Sequence, residues 1–73
     1  MRVYNLNGQE GNAYFLIGTA RDWMLQLQFE VEEIESVLDD MKSADYNHLL
    51  DVFDKTFSDI VDYEFANDPR DDI

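Results

Sequence analysis

The spacing of apolar residues changes twice along this chain, and this change limits the elements that the chain can form. In residues 1–6 and again after Ser58, apolar and polar side chains alternate, which is the period of a β-strand. Between these segments, apolar side chains recur every three or four residues, which is the period of a helix packed on one face. The order of the periods predicts a strand, a helical middle and a second strand.

Breaks in the apolar period divide the helical middle into three helices. Asn12 is predicted to cap a first helix that runs to about Gln28, because its side-chain oxygen can accept a free amide of the opening turn. A second helix is predicted at residues 30–42. A third is predicted from Asp45 or Tyr46 onward, with Asp45 or Ser43 as its cap. The inward positions are, in chain order, Ala13, Leu16, Ile17, Ala20, Trp23, Met24, Leu27, Val31, Ile34, Leu38, Met41, Tyr46, Leu49, Leu50, Phe53 and Phe57.

The length of 73 residues is enough for one domain with a modest core. The second strand has Val61, Tyr63 and Phe65 on one side, and a lone strand would leave its backbone groups unpaired. We therefore expect an α+β fold in which the N- and C-terminal strands form a small two-stranded antiparallel ribbon against three helices. Residues 1–65 are expected to form a single compact domain, and residues 66–73 an acidic flexible tail with little to bury.

The formal charge of −12 lies entirely in the second part of the chain. Residues 1–29 carry two acids and two bases, whereas residues 30–73 carry fifteen acids and three bases. An acidic face repels nucleic acid and anionic lipid and attracts basic protein surfaces. Direct binding to nucleic acid or to a membrane is therefore not expected, and the expected partner is a basic protein.

Helix stability explains acids at the start of the second helix but not those near its end. Glu32 lies near the start of the second helix, where negative charge is favourable to the helix dipole. Asp39 and Asp40 lie near its C-terminal end, where negative charge is unfavourable. The spacing from Glu35 to Asp39 adds a like-charge pair that costs about 0.2 to 0.5 kcal/mol. We predict that the carboxylates of the second and third helices bind a partner through Glu32, Glu35, Asp39, Asp40, Asp51 and Asp54. The alternative is a solvated face that only keeps the protein soluble.

The sequence offers little for catalysis or for metal binding. It has no cysteine and a single histidine, His48, and its serines have no base nearby in sequence. Asp45, His48 and Asp51 are spaced three apart on the third helix. However, about 9 Å of helix rise separates the outer two, which is too far for both to share one ion with His48. We expect no enzymatic activity, no metal site and no cofactor.

No part of the sequence indicates export or membrane insertion. The first residues lack the basic region and following apolar stretch of a signal peptide. The longest uninterrupted apolar run, residues 13–17, is far shorter than the ~20 residues that span a bilayer. We expect a cytoplasmic protein.

Three apolar residues, Tyr14, Phe15 and Leu25, fall outside the apolar stripe of the first helix. Either the rest of the domain covers this helix on more than one side, or these residues present an apolar patch to a partner. Such a dimer patch would suit a structural or assembly module that forms a homodimer through its neutral first helix. In that alternative the acids only solubilise the assembly.

A further pattern combines residues at the turns of the chain with apolar residues on the buried faces of the helices. It consists of Gly11-Asn12-Ala13, Met41-Lys42-Ser43, Asp45-Tyr46, Leu49, Val52-Phe53, Phe57 and Val61. Over about residues 1–65 the chain resembles small acidic uncharacterised proteins of tailed bacteriophages. The resemblance implies a phage accessory protein in the host cytoplasm and implies no site residues. Together with the charge, it predicts a protein that binds and blocks a basic host protein through an acidic helical face. The expected roles are a DNA mimic or an anti-defence inhibitor of a nuclease, restriction or CRISPR component.

Overall fold

A computed structural model of the chain describes residues 1–71 and contains three helices and two strands. The elements are, in order, strand β1 (Arg2–Asn5), a 3-10 turn (Gln9–Gly11), helices α1 (Ala13–Gln26), α2 (Val31–Met41) and α3 (Tyr46–Phe57), strand β2 (Tyr63–Ala66) and a second 3-10 turn (Pro69–Asp71). The three predicted helices and the predicted pairing of the two terminal strands are confirmed. Within these residues, every helix is too short or too polar to cross a membrane.

Polar side chains set where α1 and α3 begin. The Asn12 side chain accepts a hydrogen bond from the Tyr14 amide at 2.8 Å, before the first turn of α1. The Asp45 side chain accepts one from the His48 amide at 2.9 Å, before the first turn of α3. Each bond satisfies a backbone donor that has no partner inside the helix. The predicted Asn12 cap is confirmed, and of the two predicted alternatives for α3, Asp45 and Ser43, the cap is Asp45.

The end of α1 lies at Gln26, two residues before its predicted position. Gln28 has a φ of 64°, the left-handed conformation, and the Phe29 amide donates to the Met24 carbonyl at 2.9 Å. This bonding pattern closes many helices, and the left-handed residue in it is usually glycine. A glutamine in this position gives no signal in the sequence, so the helix is predicted too long.

The prediction that the two strands run antiparallel is wrong, because β1 and β2 are parallel. Arg2 lies opposite Tyr63, and Tyr4 lies opposite Phe65. Parallel strands require a long crossover connection, and the three helices provide it. Short connections join elements that run in opposite directions. Four such connections separate β1 from β2, so the chain returns to its starting direction.

One face of this sheet packs on the helices and the other faces solvent. Tyr4 is buried and Tyr63 and Phe65 are partly buried on the inner face, whereas Val3 and Glu64 are exposed on the outer face. The helices bury Leu16, Ala20, Met24, Ile34, Met41, Leu49, Leu50, Val52, Phe53 and Phe57. Burial of such side chains is the main source of stability in a domain of this size.

The ring of Trp23 lies within an aromatic cluster that connects the helices to the sheet. Its centroid is 5.3 Å from that of Phe53 and 5.1 Å from that of Phe57, both on α3. It is also 5.5 Å from the ring of Tyr63 in β2 and 6.0 Å from that of Tyr4 in β1. Tilted and edge-on rings at these distances attract each other beyond simple burial. The cluster therefore joins α1, α3 and both strands.

Candidate interaction surface

Three carboxylates lie on the exposed side of α2. Glu32, Glu35 and Asp39 are exposed, and within residues 1–71 none of them forms a salt bridge. The last turn of α2 contains no basic residue, and Lys42 follows it as the C-cap. Asp39 thus lies at the negative end of the helix dipole, and no salt bridge to it forms among the described residues. These three residues are called the α2 row below.

Asp40, the fourth predicted residue on α2, is hydrogen bonded to α3. The His48 Nε2 donates to Asp40 Oδ1 at 2.8 Å. This bond lowers the pKa of the Asp40 carboxyl and raises the pKa of the His48 imidazole. Asp40 therefore has a fixed partner inside the domain, unlike the α2 row.

A groove of about 380 Å³ runs between α2 and α3. It is lined by Phe29, Glu33, Ser36, Val37, Asp40, Val52, Lys55 and Thr56. Lys55 lies in this groove, and His48 reaches across to α2 through its bond to Asp40. Both residues therefore lie on the flank of α3 that faces α2.

Asp51 and Asp54 also lie on α3, where Arg70 binds them. The Arg70 Nη1 donates to Asp51 Oδ1 at 2.9 Å, and its Nη2 donates to Asp54 Oδ2 at 2.6 Å. The same guanidinium donates to both carboxylate oxygens of Asp68. The Tyr63 hydroxyl donates to Asp54 Oδ1 at 2.5 Å, and burial together with this bond raises the pKa of Tyr63. Asp54 is therefore bonded through both of its oxygens.

The Arg70 network is partly shielded from water. The Arg70 side chain is 20% exposed and the Asp68 side chain 6%. The guanidinium carbon lies 5.9 Å from the centre of the Phe65 ring, within the range of a cation–π attraction. The bonds from Arg70 lower the pKa of the Asp68 carboxyl. Residues 66–71 of the predicted tail are thus attached to α3, while residues 72–73 lie outside the described residues.

The six predicted partner-binding residues form two groups on the structure. The α2 row and Asp40 lie on α2, while Asp51 and Asp54 lie on α3 and share Arg70. Asp51 follows His48 by three residues and so lies one helical turn from it, and His48 in turn bonds Asp40. The structure joins Asp51 and Asp54 through Arg70 and gives the α2 row no such bond among the described residues.

Arg70, Asp68 and Tyr63 are members of this surface that the sequence pattern does not reveal. Arg70 contacts residues 16 and 19 positions away in the chain, and no local period shows contacts of that range. The one available signal is Asp68-Pro69, a dipeptide that favours a turn. A turn there brings the next side chain back toward α3.

The three residues of the predicted dimer patch on α1 differ in exposure. Tyr14 is 84% exposed and Leu25 is 50% exposed, whereas Phe15 is 36% exposed. Phe15 packs edge-on against Tyr4 of β1, with ring centroids 6.1 Å apart. Tyr14 and Leu25 are about three helical turns apart, so they lie on one line along α1. The structure therefore places Tyr14 and Leu25 on one exposed stripe and gives Phe15 a partner within the domain.

Neither the geometry nor comparison with known proteins assigns a chemical reaction to these residues. In the part of the chain that the structure describes, no three His, Cys, Asp or Glu side chains form a group that could hold a metal ion. The sequence matches no family model, no curated protein and no solved structure. A function must therefore be argued from the charges and contacts of the surface itself.

The bond between Asp40 and His48 determines how both groups titrate. Because the folded pKa of His48 lies above its ordinary value of 6.5, its contribution to stability is fully present below pH 6.5 and is lost as the pH rises through the folded pKa. An NMR titration of the imidazole is expected to give a pKa above 6.5 in the wild type and one closer to 6.5 in Asp40→Asn. Asp39→Asn removes a neighbouring charge but no bond to His48, so the pKa of the imidazole should stay near the wild-type value in this variant. A wild-type pKa at or below 6.5 would show that the bond does not form.

Proposed function

We propose that this chain is a non-enzymatic accessory protein that binds a basic surface of another protein through the α2 row and blocks it. The proposal is carried by the unpaired state of the α2 row within residues 1–71. Other acids on the helices have partners, since His48 bonds Asp40 and Arg70 bonds Asp51. Exposed acids without a salt bridge also lie elsewhere among the described residues, at Asp22, Asp59 and Glu64, but the α2 row places three of them on one face of one helix.

The spacing of charge along α2 is close to that of a nucleic acid. With Glu33 beside the α2 row, four carboxylates without a salt bridge among the described residues fall within eight residues, or about 12 Å of helix. This is one charge per roughly 3 Å, between the ~1.7 Å of duplex DNA and the ~3.4 Å of a single strand. A groove of lysine and arginine that binds a phosphate backbone would therefore meet a similar charge density on α2. This similarity supports the role of a DNA mimic.

The resemblance to phage proteins suggests where such a protein would act. A phage accessory protein works in the cytoplasm of a host whose nucleases, restriction enzymes and CRISPR components have basic grooves for nucleic acid. A protein that occupies one of these grooves with the α2 row would exclude the nucleic acid by charge and by volume. The proposed partner is thus a nucleic-acid-binding host protein.

Neutralising the α2 row is expected to weaken this binding. In Glu32→Gln/Glu35→Gln/Asp39→Asn, three contacts of about 0.5 to 1 kcal/mol each are removed, so affinity should fall roughly tenfold or more. The measurement is affinity capture from host lysate, with the wild type and the variant as baits, washed at low and at high salt. We expect basic proteins on the wild type at low salt and their release at high salt, because salt screens exposed charges.

A charge-matched control separates the α2 row from net charge. Asp22→Asn/Asp59→Asn/Glu64→Gln removes three exposed carboxylates elsewhere on the surface and should retain the same proteins as the wild type. Equal capture by the row variant, or retention of the proteins at high salt, would contradict the proposal.

A second candidate function is a structural or assembly module that forms a homodimer through α1. The exposed stripe of α1 carries Tyr14, Gly18, Arg21 and Leu25, and a Cβ on Gly18 would meet no atom within 4 Å. If two α1 helices pack antiparallel about a two-fold axis, Tyr14 faces Leu25 of the second copy while Gly18 faces its Arg21. The stripe is thus complementary to itself. With Asp22 beside Arg21, it is also electrically neutral.

Sedimentation velocity at two protein concentrations tests the dimer. If α1 forms the interface, the wild type sediments faster at the higher concentration and Leu25→Asp stays monomeric at both. Val31→Asp places the same charge on an exposed apolar residue of α2 and should behave as the wild type. A wild type that is monomeric at both concentrations rules out the dimer.

A further inference from the structure

We propose that residues 66–71 form an autoinhibitory strap, in which Arg70 occupies part of the acidic surface as a substitute for an arginine of the partner. This inference rests on the proposed function, because it assumes that a basic surface is the ligand. It concerns Asp51 and Asp54, the two predicted binding residues that are bonded to Arg70 in this structure. The strap would free them from Arg70 only when a partner competes for them.

The contacts of Arg70 have the form expected of a bound arginine ligand. The guanidinium donates to Asp51 at 2.9 Å and to Asp54 at 2.6 Å, so one planar group bridges two carboxylates on successive turns of α3. It also lies against the Phe65 ring. The Tyr63 hydroxyl holds the second oxygen of Asp54 at 2.5 Å and so fixes the direction of that carboxylate. The receiving groups on α3 and β2 thus stay in place if Arg70 leaves.

Beyond Asn67, the hydrogen bonds that attach the strap to the rest of the described domain come from Arg70. Asp68 moves together with Arg70, because both belong to the strap, so their mutual bonds do not hold the strap to the domain. Apart from Arg70, the strap is bonded to the rest of the domain through Ala66, which accepts from the Leu6 amide at the end of β2, and through the Asn67 side chain, which donates to the Asn5 side chain at 2.7 Å. A competing cation that replaces Arg70 would therefore release the residues that follow Asn67.

The strap limits which basic partners can bind Asp51 and Asp54. A tethered arginine has a high effective concentration at its site, so a single free cation competes with it poorly. A surface with several basic groups can bind the α2 row first and then compete locally for Asp51 and Asp54. The strap therefore favours extended basic surfaces over isolated cations.

The test measures binding of a labelled hexaarginine peptide at low salt. Arg70→Gln should bind the peptide roughly two- to tenfold more tightly than the wild type, because Asp51 and Asp54 lose their bonds to Arg70. Arg21→Gln changes the net charge by the same amount on α1, where the residue forms no salt bridge among the described residues, and should give a smaller gain. Adding Asp51→Asn/Asp54→Asn to Arg70→Gln should remove the gain. Equal affinities of Arg70→Gln and Arg21→Gln, or weaker binding by Arg70→Gln, would overturn the strap.

A second measurement uses the unmodified protein and so does not depend on how a variant folds. On titration with unlabelled hexaarginine, the Arg70 Nε–H resonance should move to the position of a solvated arginine, and the amides of residues 68–71 should shift with it. An Arg70 resonance that stays unchanged at saturation would show that the network is only structural.

The same peptide distinguishes failure of the strap from failure of the proposed function. If the neutralised α2 row binds hexaarginine as well as the wild type, the proposed function fails, whatever Arg70→Gln does. If the row variant loses binding and Arg70→Gln gains nothing over Arg21→Gln, the function stands and the strap is wrong.

Discussion

The packing of Trp23 against the aromatic rings of α3 is the interaction on which the rest of this structure depends. A two-stranded sheet is at best marginally stable alone, and here its two strands are far apart in sequence and parallel. Tyr4 and Tyr63 contribute one ring from each strand to the cluster around Trp23. The helices thus hold the strands in register through contacts between rings. The sheet in turn carries residues 66–71 to the side of α3.

The acids of the surface are of two kinds, those with a bonding partner inside the domain and those without one. Asp45 caps α3, Asp40 bonds His48, and Asp54 bonds Arg70 and Tyr63. These acids have structural roles. The α2 row has none among the described residues, and Asp39 opposes the helix dipole. The lack of an internal partner and the position on one face of α2 together define the proposed binding surface more narrowly than net charge does.

Local patterns in the sequence predict much of this fold. The apolar stripes give the three helices, and the side chains of Asn12 and Asp45 give two of their starts. The direction of β2 is not predictable in this way, since alternation is the same in parallel and antiparallel strands. The end of α1 is missed because Gln28 adopts a conformation that favours glycine. The direction of a strand and the backbone conformation of Gln28 are both properties that the local spacing of apolar residues does not contain.

The candidate surface is likewise only partly predictable, because the sequence shows local patterns but not tertiary contacts. The late acids of α2 violate a local rule of helix stability, so the sequence alone identifies them. The pairing of Arg70 with α3 is a tertiary contact, and only the structure separates the paired carboxylates from the α2 row.

The central claim is that the α2 row is not needed for folding, and urea denaturation of Glu35→Gln/Asp39→Asn tests it most directly. These changes preserve size and helix propensity while removing a like-charge pair and an unfavourable charge near the C-terminal end of α2. The free energy of unfolding should rise by about 0.5 to 1 kcal/mol at low salt, and the gain should shrink at high salt. A fall of about 1 kcal/mol or more would show that the fold requires these carboxylates, and would contradict the account.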